Sequence, residues 1–165
     1  KLIANFTQSQ KLGSWVAPLY NFVVKNAFLS GMVKKTVGFA SKRSLPTVNG
    51  TTLTQWVKKQ TAVSDAKRRV YLFSDEFTEY NDAEIGITAY KLLTGIGYEV
   101  VIPKHVQSGR TYLSKGFVKE AKKIANQNIH FLKGLITDDT PLLGVEPSGI
   151  ITFRDEYLSL VDDDL

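Results

Sequence analysis

Val70-Tyr71-Leu72-Phe73, running directly into Ser74-Asp75-Glu76-Phe77-Thr78-Glu79-Tyr80-Asn81-Asp82, is the stretch whose reading sets the fold. A short apolar run followed by polar turn residues reads as a buried strand. Asn81 or Asp82 then caps a helix whose apolar positions Ile85, Ala89, Leu92, Leu93 and Ile96 recur at spacings of three and four, and Gly97 ends it. The same alternation follows twice more. Tyr98 to Ile102 reads as a second strand, and Ser114 as the cap of a long helix burying Phe117, Ala121, Ile124, Asn128, Phe131, Leu132 and Leu135. Pro141 precedes Leu142-Leu143-Gly144-Val145, a third strand, after which Ser148 caps a last helix. Strands separated by helices of this length imply crossover connections, so the expected class is α/β, a three-layer open parallel sheet built from βαβαβ.

Upstream the pattern is different. Ser14 reads as a helix cap followed by Trp15, Leu19, Phe22 and Val23, and the apolar face resumes with Phe28, Leu29, Met32, Val33 and Val37 before Gly38 stops it. Lys42 to Pro46 and Asn49-Gly50 read as an extended connection, and Thr52 to Gln60 as a short helix centred on Trp56. The expected organisation is therefore an N-terminal helical arm over 1–60, a linker over 61–69 and an α/β domain over 70–165. Trp15, Leu19, Phe22 and Trp56 offer more apolar area than short helices hide among themselves, so the arm is expected to carry apolar surface for the sheet domain or for a partner.

The chain has 165 residues, 43% of them hydrophobic, which suits one domain with an appendage. It has no Cys and two His, which excludes a disulfide framework and any thiolate-ligated zinc or iron-sulfur site, and no metal site is expected. Its apolar runs are shorter than a membrane span and no signal-peptide pattern opens it, so it is expected to be cytoplasmic. Because it starts at Lys1 without Met, it is expected to be a piece of something longer. The net charge of +5 is unevenly spread: residues 1–69 hold twelve Lys/Arg against Asp65 alone, and 70–165 hold nine against fifteen acids, giving +11 and −6. Such a basic segment suits an anionic or partner-facing surface, but its charges are interspersed with apolar residues and carry no RNA-binding signature, so no nucleic acid is expected.

In open parallel sheets ligands gather at the carboxyl ends of the strands. Three loops qualify: Ser74 to Asn81, Lys104 to Ser114 and Glu146 to Gly149. Around them stand Phe73, Tyr80, Asn81, Glu84, Ile85 and Gly86; Tyr98-Glu99-Val100 through Val106-Gln107-Ser108-Gly109-Arg110, with Gly116 and Ala121; and Glu146-Pro147-Ser148 with Asp155-Glu156-Tyr157. With these flanks the chain resembles the cysteine-rich, CCG-type domain of heterodisulfide-reductase-like iron-sulfur oxidoreductases. Leu12 to Pro46 is similar to the helical connection that precedes such a domain in FAD-linked oxidases of the D-lactate dehydrogenase type. The resemblance implies a longer parent carrying FAD and 4Fe-4S clusters, with upstream flavin and ferredoxin-like domains as partners and a membrane electron acceptor as a further one. It places the family's cluster cysteines on Glu76, Gln107, Ser108, Glu146 and Gly149. None of these supplies a thiolate, so no cofactor-binding and no catalytic residue is expected in this segment, whose role would be structural or docking.

Other chemistries remain open. Ser108, Gly109, Arg110 and Thr111 could cradle an anion with backbone N–H groups, hydroxyls and a guanidinium, making a small-anion or nucleotide-responsive regulatory domain, although Ser-Gly-Arg-Thr is also an ordinary turn. In that reading Arg110 counters Glu76 and Glu146 in one polar pocket, with helix N-termini near Ser114 and Ser148 adding positive potential. A hydrolytic site would use Glu76, Glu146 and His105, against the ordinary solvation of carboxylates on separate loops and of a lone loop histidine. His130 reads as structural, Asp155 and Glu156 as a solvated helix face, and Asp162 to Asp164 as a frayed tail. No glycine-rich dinucleotide turn, P-loop or Gly-x-Ser-x-Gly elbow is present.

Overall fold

Val70, Tyr71 and Leu72 are all buried, which is what a central strand covered on both faces requires. They belong to β1 (Arg68–Leu72), the middle strand of a three-stranded parallel sheet in the order β2-β1-β3. The computed structural model describes residues 5–61 and 68–162. β2 (Tyr98–Val101) pairs with β1 from Arg68↔Tyr98 to Tyr71↔Val101, and β3 (Leu142–Leu143) pairs through Tyr71↔Leu142 and Leu72↔Leu143. The fold is thus the open α/β class expected from the strand and helix alternation. Arg68 and Arg69 extend β1 into the stretch read as linker, and 62–67 of that stretch lie outside the described residues.

Helices flank the sheet. Between β1 and β2 come α5 (Glu76–Tyr80) and α6 (Ala83–Gly95), and between β2 and β3 come α7 (Arg110–Leu113) and α8 (Val118–Leu132). After β3 follow α9 (Pro147–Arg154) and α10 (Tyr157–Leu160). Val70, Leu72 and Val100 form one core cluster with Leu53, Ala83 and Tyr90. A second cluster joins Tyr112, Ala121, Ile124 and Ala125 to Tyr157 and Leu160.

Several local readings are corrected by the packing. Ser114 does not start the long helix: it is the C-cap of α7, and its hydroxyl donates to the Thr111 carbonyl at 3.0 Å, while α8 begins at Val118. α9 is capped by Glu146, whose carboxylate accepts from the Ser148 N–H, so Ser148 lies in the first turn. The buried face of α6 is Ala83, Gly86 and Tyr90, whereas Ile85, Leu92 and Ile96 point outward. Leu135 lies beyond the end of α8 and is exposed.

The N-terminal arm consists of α1 (Phe6–Trp15), α2 (Ala17–Lys25), α3 (Ala27–Val37) and α4 (Leu53–Val57). Ser14 sits inside α1, with its hydroxyl on the Lys11 carbonyl, and is not a cap. Asn26 caps α3 through two backbone N–H groups, and Gly38 ends it at φ 75°, a conformation glycine adopts without a Cβ penalty. Thr52 and Gln55 make a reciprocal capping box on α4. The arm is tied to the α/β part: Phe6 packs on Phe77 with ring centroids 5.2 Å apart, and Asn81 Nδ2 donates to Gln10 Oε1 at 2.8 Å. Thr54 donates from both N–H and hydroxyl to Glu79. Trp15 nevertheless stays 74% exposed and Phe28 75%, with Leu19 and Phe22 also outward. Among the described residues no helix is long and apolar enough to cross a membrane.

Candidate functional site

The crossing of the chain over β1 places a crevice at the carboxyl end of the sheet, because β2 and β3 lie on opposite sides of β1 and their loops converge there. The first loop starts α5. Asp75 caps it, its Oδ1 accepting from the N–H groups of Phe77 and Thr78, so these helix-terminal donors are already used. Glu76, next along, is 2% exposed and turns toward the second loop. Its Oε2 accepts the Ser108 N–H and its Oε1 the Ser108 hydroxyl, each at 2.9 Å.

This pair anchors a wider network. Tyr157 of α10 donates its hydroxyl to the Ser108 carbonyl at 2.9 Å. Asn128, fully buried on α8, donates to the Gln107 carbonyl and to the Tyr157 hydroxyl, and accepts from the Val106 N–H. Every donor and acceptor of this asparagine is thereby used, which is the condition for burying one. Asn128 and Tyr157 were not recognised as site residues from the sequence. An asparagine on the apolar stripe of α8 was the available signal, since an uncharged amide there needs partners from outside its helix.

The third loop approaches the first through Gly149. A Cβ there would meet the Asp75 Cβ at 3.2 Å, closer than most side chains tolerate. Glu146 turns back to its own helix, accepting the Ser148 hydroxyl at 2.6 Å. Gln107 hydrogen-bonds Thr7 from the arm. Of the five positions to which the resemblance assigns cluster cysteines, the fold joins Glu76 to Ser108 directly and sets Gly149 against the neighbouring Asp75. Glu146 and Gln107 have other partners.

The polar groups of the Ser108 to Thr111 turn are mostly engaged within the fold. Arg110 is paired with Glu156 and does not counter Glu76 or Glu146. The Ser108 hydroxyl is committed to Glu76 and also accepts from the Arg110 N–H at 3.1 Å. Gly109, at φ 78°, packs against Ile124. The Thr111 hydroxyl is buried and has no partner among the described residues.

Burial pushes the Glu76 carboxyl above its usual range, against the lowering effect of the Ser108 bonds. His105 is half-buried on the Phe73 ring, 4.6 Å between centroids, and not the solvated surface residue expected. Its Nδ1 lies 2.8 Å from the Val106 carbonyl, which only accepts, so Nδ1 carries the proton. Desolvation lowers its pKa. His130 is exposed; Asp155 pairs with Arg154 and Asp162 with Lys122, while 163–165 lie outside the described residues.

The residues present do not fit the iron-sulfur cluster that the resemblance implies at these positions. An iron-sulfur cluster needs soft anionic donors, and these positions offer hydrogen-bonded carboxylates, an amide, a hydroxyl and a glycine. Among the described residues no cluster of three or more His, Asp or Glu could hold a metal ion.

A cavity of about 640 Å³ lies beside this network, between the arm and the sheet edge. Lys11 and Lys58 reach it from the arm, and Lys104, His105, Glu79 and Gln107 from the α/β part.

No family model matches the chain, and no solved structure matches it. It is similar to curated proteins named D-2-hydroxyglutarate dehydrogenase. The one from Pantoea ananatis is 22% identical over 174 residues, covering 98% of this chain and 17% of the relative. That from Haemophilus influenzae is 24% identical over 94% of the chain and 16% of its own length. The Escherichia coli protein is 30% identical over 90 residues, 54% of the chain and 9% of its length. The chain therefore spans less than a fifth of the length of these oxidoreductases, and the similarity includes both the helical arm and the α/β part.

Proposed function

We propose that this chain is a segment of a longer FAD-linked, iron-sulfur oxidoreductase acting on a 2-hydroxy acid, in which the segment has a structural and docking role and no redox role. The alignment of nearly the whole chain, arm included, with a small part of each dehydrogenase carries the reading. Supporting it, Glu76 and Ser108 use their polar atoms on each other where the resemblance places thiolates, so the loops are held together without a cluster. The arm supplies the docking face. Trp15, Leu19, Phe22 and Phe28 are mostly exposed, on an arm whose α1 and α4 are anchored to the α/β part through Phe6, Gln10 and Thr54. An ordered apolar surface of this kind gains free energy by being covered, at roughly 25 cal/mol per Å². In this reading the flavin and ferredoxin-like domains cover it and pass electrons elsewhere.

The test uses the native polypeptide that contains this sequence. It is expected to hold flavin, to reduce a dye with a D-2-hydroxy acid, and to protect α2 and α3 from hydrogen exchange. Phe22→Asp and Phe28→Asp are expected to remove that protection without unfolding β1. A flavin-free polypeptide, or one in which α2 and α3 exchange as freely as a solvated helix, refutes the corresponding half of the proposal.

A further inference from the structure

The cavity between the arm and the sheet edge has an unusual charge arrangement: its acids face into the fold and its cations do not. Glu79 Oε2 accepts from the Ser74 hydroxyl at 2.6 Å, the Thr54 hydroxyl at 2.8 Å and the Thr54 N–H at 3.0 Å. Glu76 is satisfied by Ser108 in the same manner, by neutral donors. Among the described residues neither carboxylate is paired with a lysine. Lys104 holds its ammonium over the Phe131 ring, 4.3 Å from the centroid. Lys11, on α1, and Lys58, at the end of α4, have no acidic partner among the described residues, although both line the cavity. The walls that carry them are fixed, since Thr7 bonds Gln107 and Thr54 bonds Glu79 across the gap.

We propose that this cavity binds a small multivalent oxyanion, a dicarboxylate or a phosphate, between the ammonium groups of Lys11 and Lys58. About 640 Å³ is the size of a small-molecule site, and it opens at the carboxyl edge of a parallel sheet, where ligands collect. Lys11, Lys58 and Lys104 outnumber Glu76 and Glu79 in the lining, and both carboxylates are held by neutral donors, so the lining carries a net positive charge that a bound dianion relieves. His105 adds selectivity. With its Nδ1 proton on the Val106 carbonyl, its Nε2 is an acceptor, so the site favours an anion that also carries a hydroxyl. The anion site thus lies on arm and sheet residues together, and not on the Ser108 to Thr111 turn. It does not depend on the activity of any longer polypeptide.

Calorimetric titration of the full chain with inorganic phosphate, succinate, malate and acetate tests this. At least one dianion is expected to bind in the millimolar range or tighter and acetate to bind more weakly; whether phosphate or the dicarboxylates bind names the ligand's source. Lys11→Gln and Lys58→Gln are each expected to weaken binding about tenfold or more, the loss of one charge-assisted contact. Both side chains are solvent-facing, so the variants should melt like wild type, and Lys115→Gln, remote from the cavity, should bind like wild type. The proposal is overturned if no dianion binds, if acetate binds equally well, or if Lys11→Gln and Lys58→Gln bind like Lys115→Gln.

Discussion

Glu76 is almost completely buried and has no cationic partner among the described residues, so its ionised form is supported by the two Ser108 donors and its own backbone N–H. Its folded pKa is raised, chiefly by desolvation. The stability it contributes is therefore complete below its ordinary value of 4.5 and is lost as pH rises through the folded value. His105 has the opposite sign: its folded pKa is lowered, so its contribution is complete above 6.5 and is lost as pH falls through the folded value. Glu76→Gln keeps an acceptor for the Ser108 N–H and removes the titration. Urea unfolding from pH 4.5 to 8 is expected to show the variant gaining on wild type as pH rises, and parallel curves would contradict the assignment. Ser108→Ala removes one of the two Ser108 donors to the buried carboxylate and is expected to cost about 1–3 kcal/mol at neutral pH in the same measurement. The family resemblance marked Glu76 and Ser108 as positions of interest, on loops that follow the first two strands. Their mutual bonding was not legible, since they are 32 residues apart and meet only when β1 and β2 pair.

At the scale of elements, α6 shows where periodicity fails. Ile85, Leu92 and Ile96 form an apolar stripe as regular as that of Ala83, Gly86 and Tyr90, and hydrophobicity alone does not choose between them. Close approach to α4 chooses. A Cβ at Gly86 would lie 2.4 Å from Leu53 Cδ2 and 2.7 Å from Thr78 Cγ2, so α6 presents its smallest residue to the buried Leu53. Tyr90 then packs edge-on against Trp56. Gly86→Ala raises helix propensity by roughly 1 kcal/mol yet overpacks this contact at a cost of about 1–3 kcal/mol. A net loss of stability in thermal denaturation is expected, whereas Gly95→Ala, on the same helix with open space at its Cβ, should not lose stability. Equal effects at the two glycines would remove the packing explanation. The helix caps were misread for a related reason. Ser114 and Ser148 have the right residue type, but Ser114 closes α7 while Phe117 stands at the N-cap of α8, and Glu146 caps α9 ahead of Ser148.

For the molecule as a whole, Glu76 and Ser108 tie the first two loops together by their own hydrogen bonds, and the chain expressed with a tag free of Cys is expected to take up no iron-sulfur cluster on anaerobic reconstitution. A stoichiometric cluster with its visible absorption band would refute the view that hydrogen bonds between Glu76 and Ser108 stand where thiolates would be. What the sequence determined by itself was the class of fold: three short apolar runs, Val70 to Phe73, Tyr98 to Ile102 and Leu142 to Val145, separated by helix-length amphipathic segments. Local propensity and period are enough for that, because strand and helix are chosen by neighbours in the chain. It also determined the basic character of the arm and the lack of thiolates. Tertiary structure alone decided which atoms meet. The partnership of Arg110 with Glu156, the docking of Gln10 on Asn81 and the cavity that gathers Lys11, Lys58 and His105 join residues from 46 to 94 positions apart. Such contacts depend on how strands register and how helices rotate about their axes to bury one face, and these are settled by packing of the whole chain.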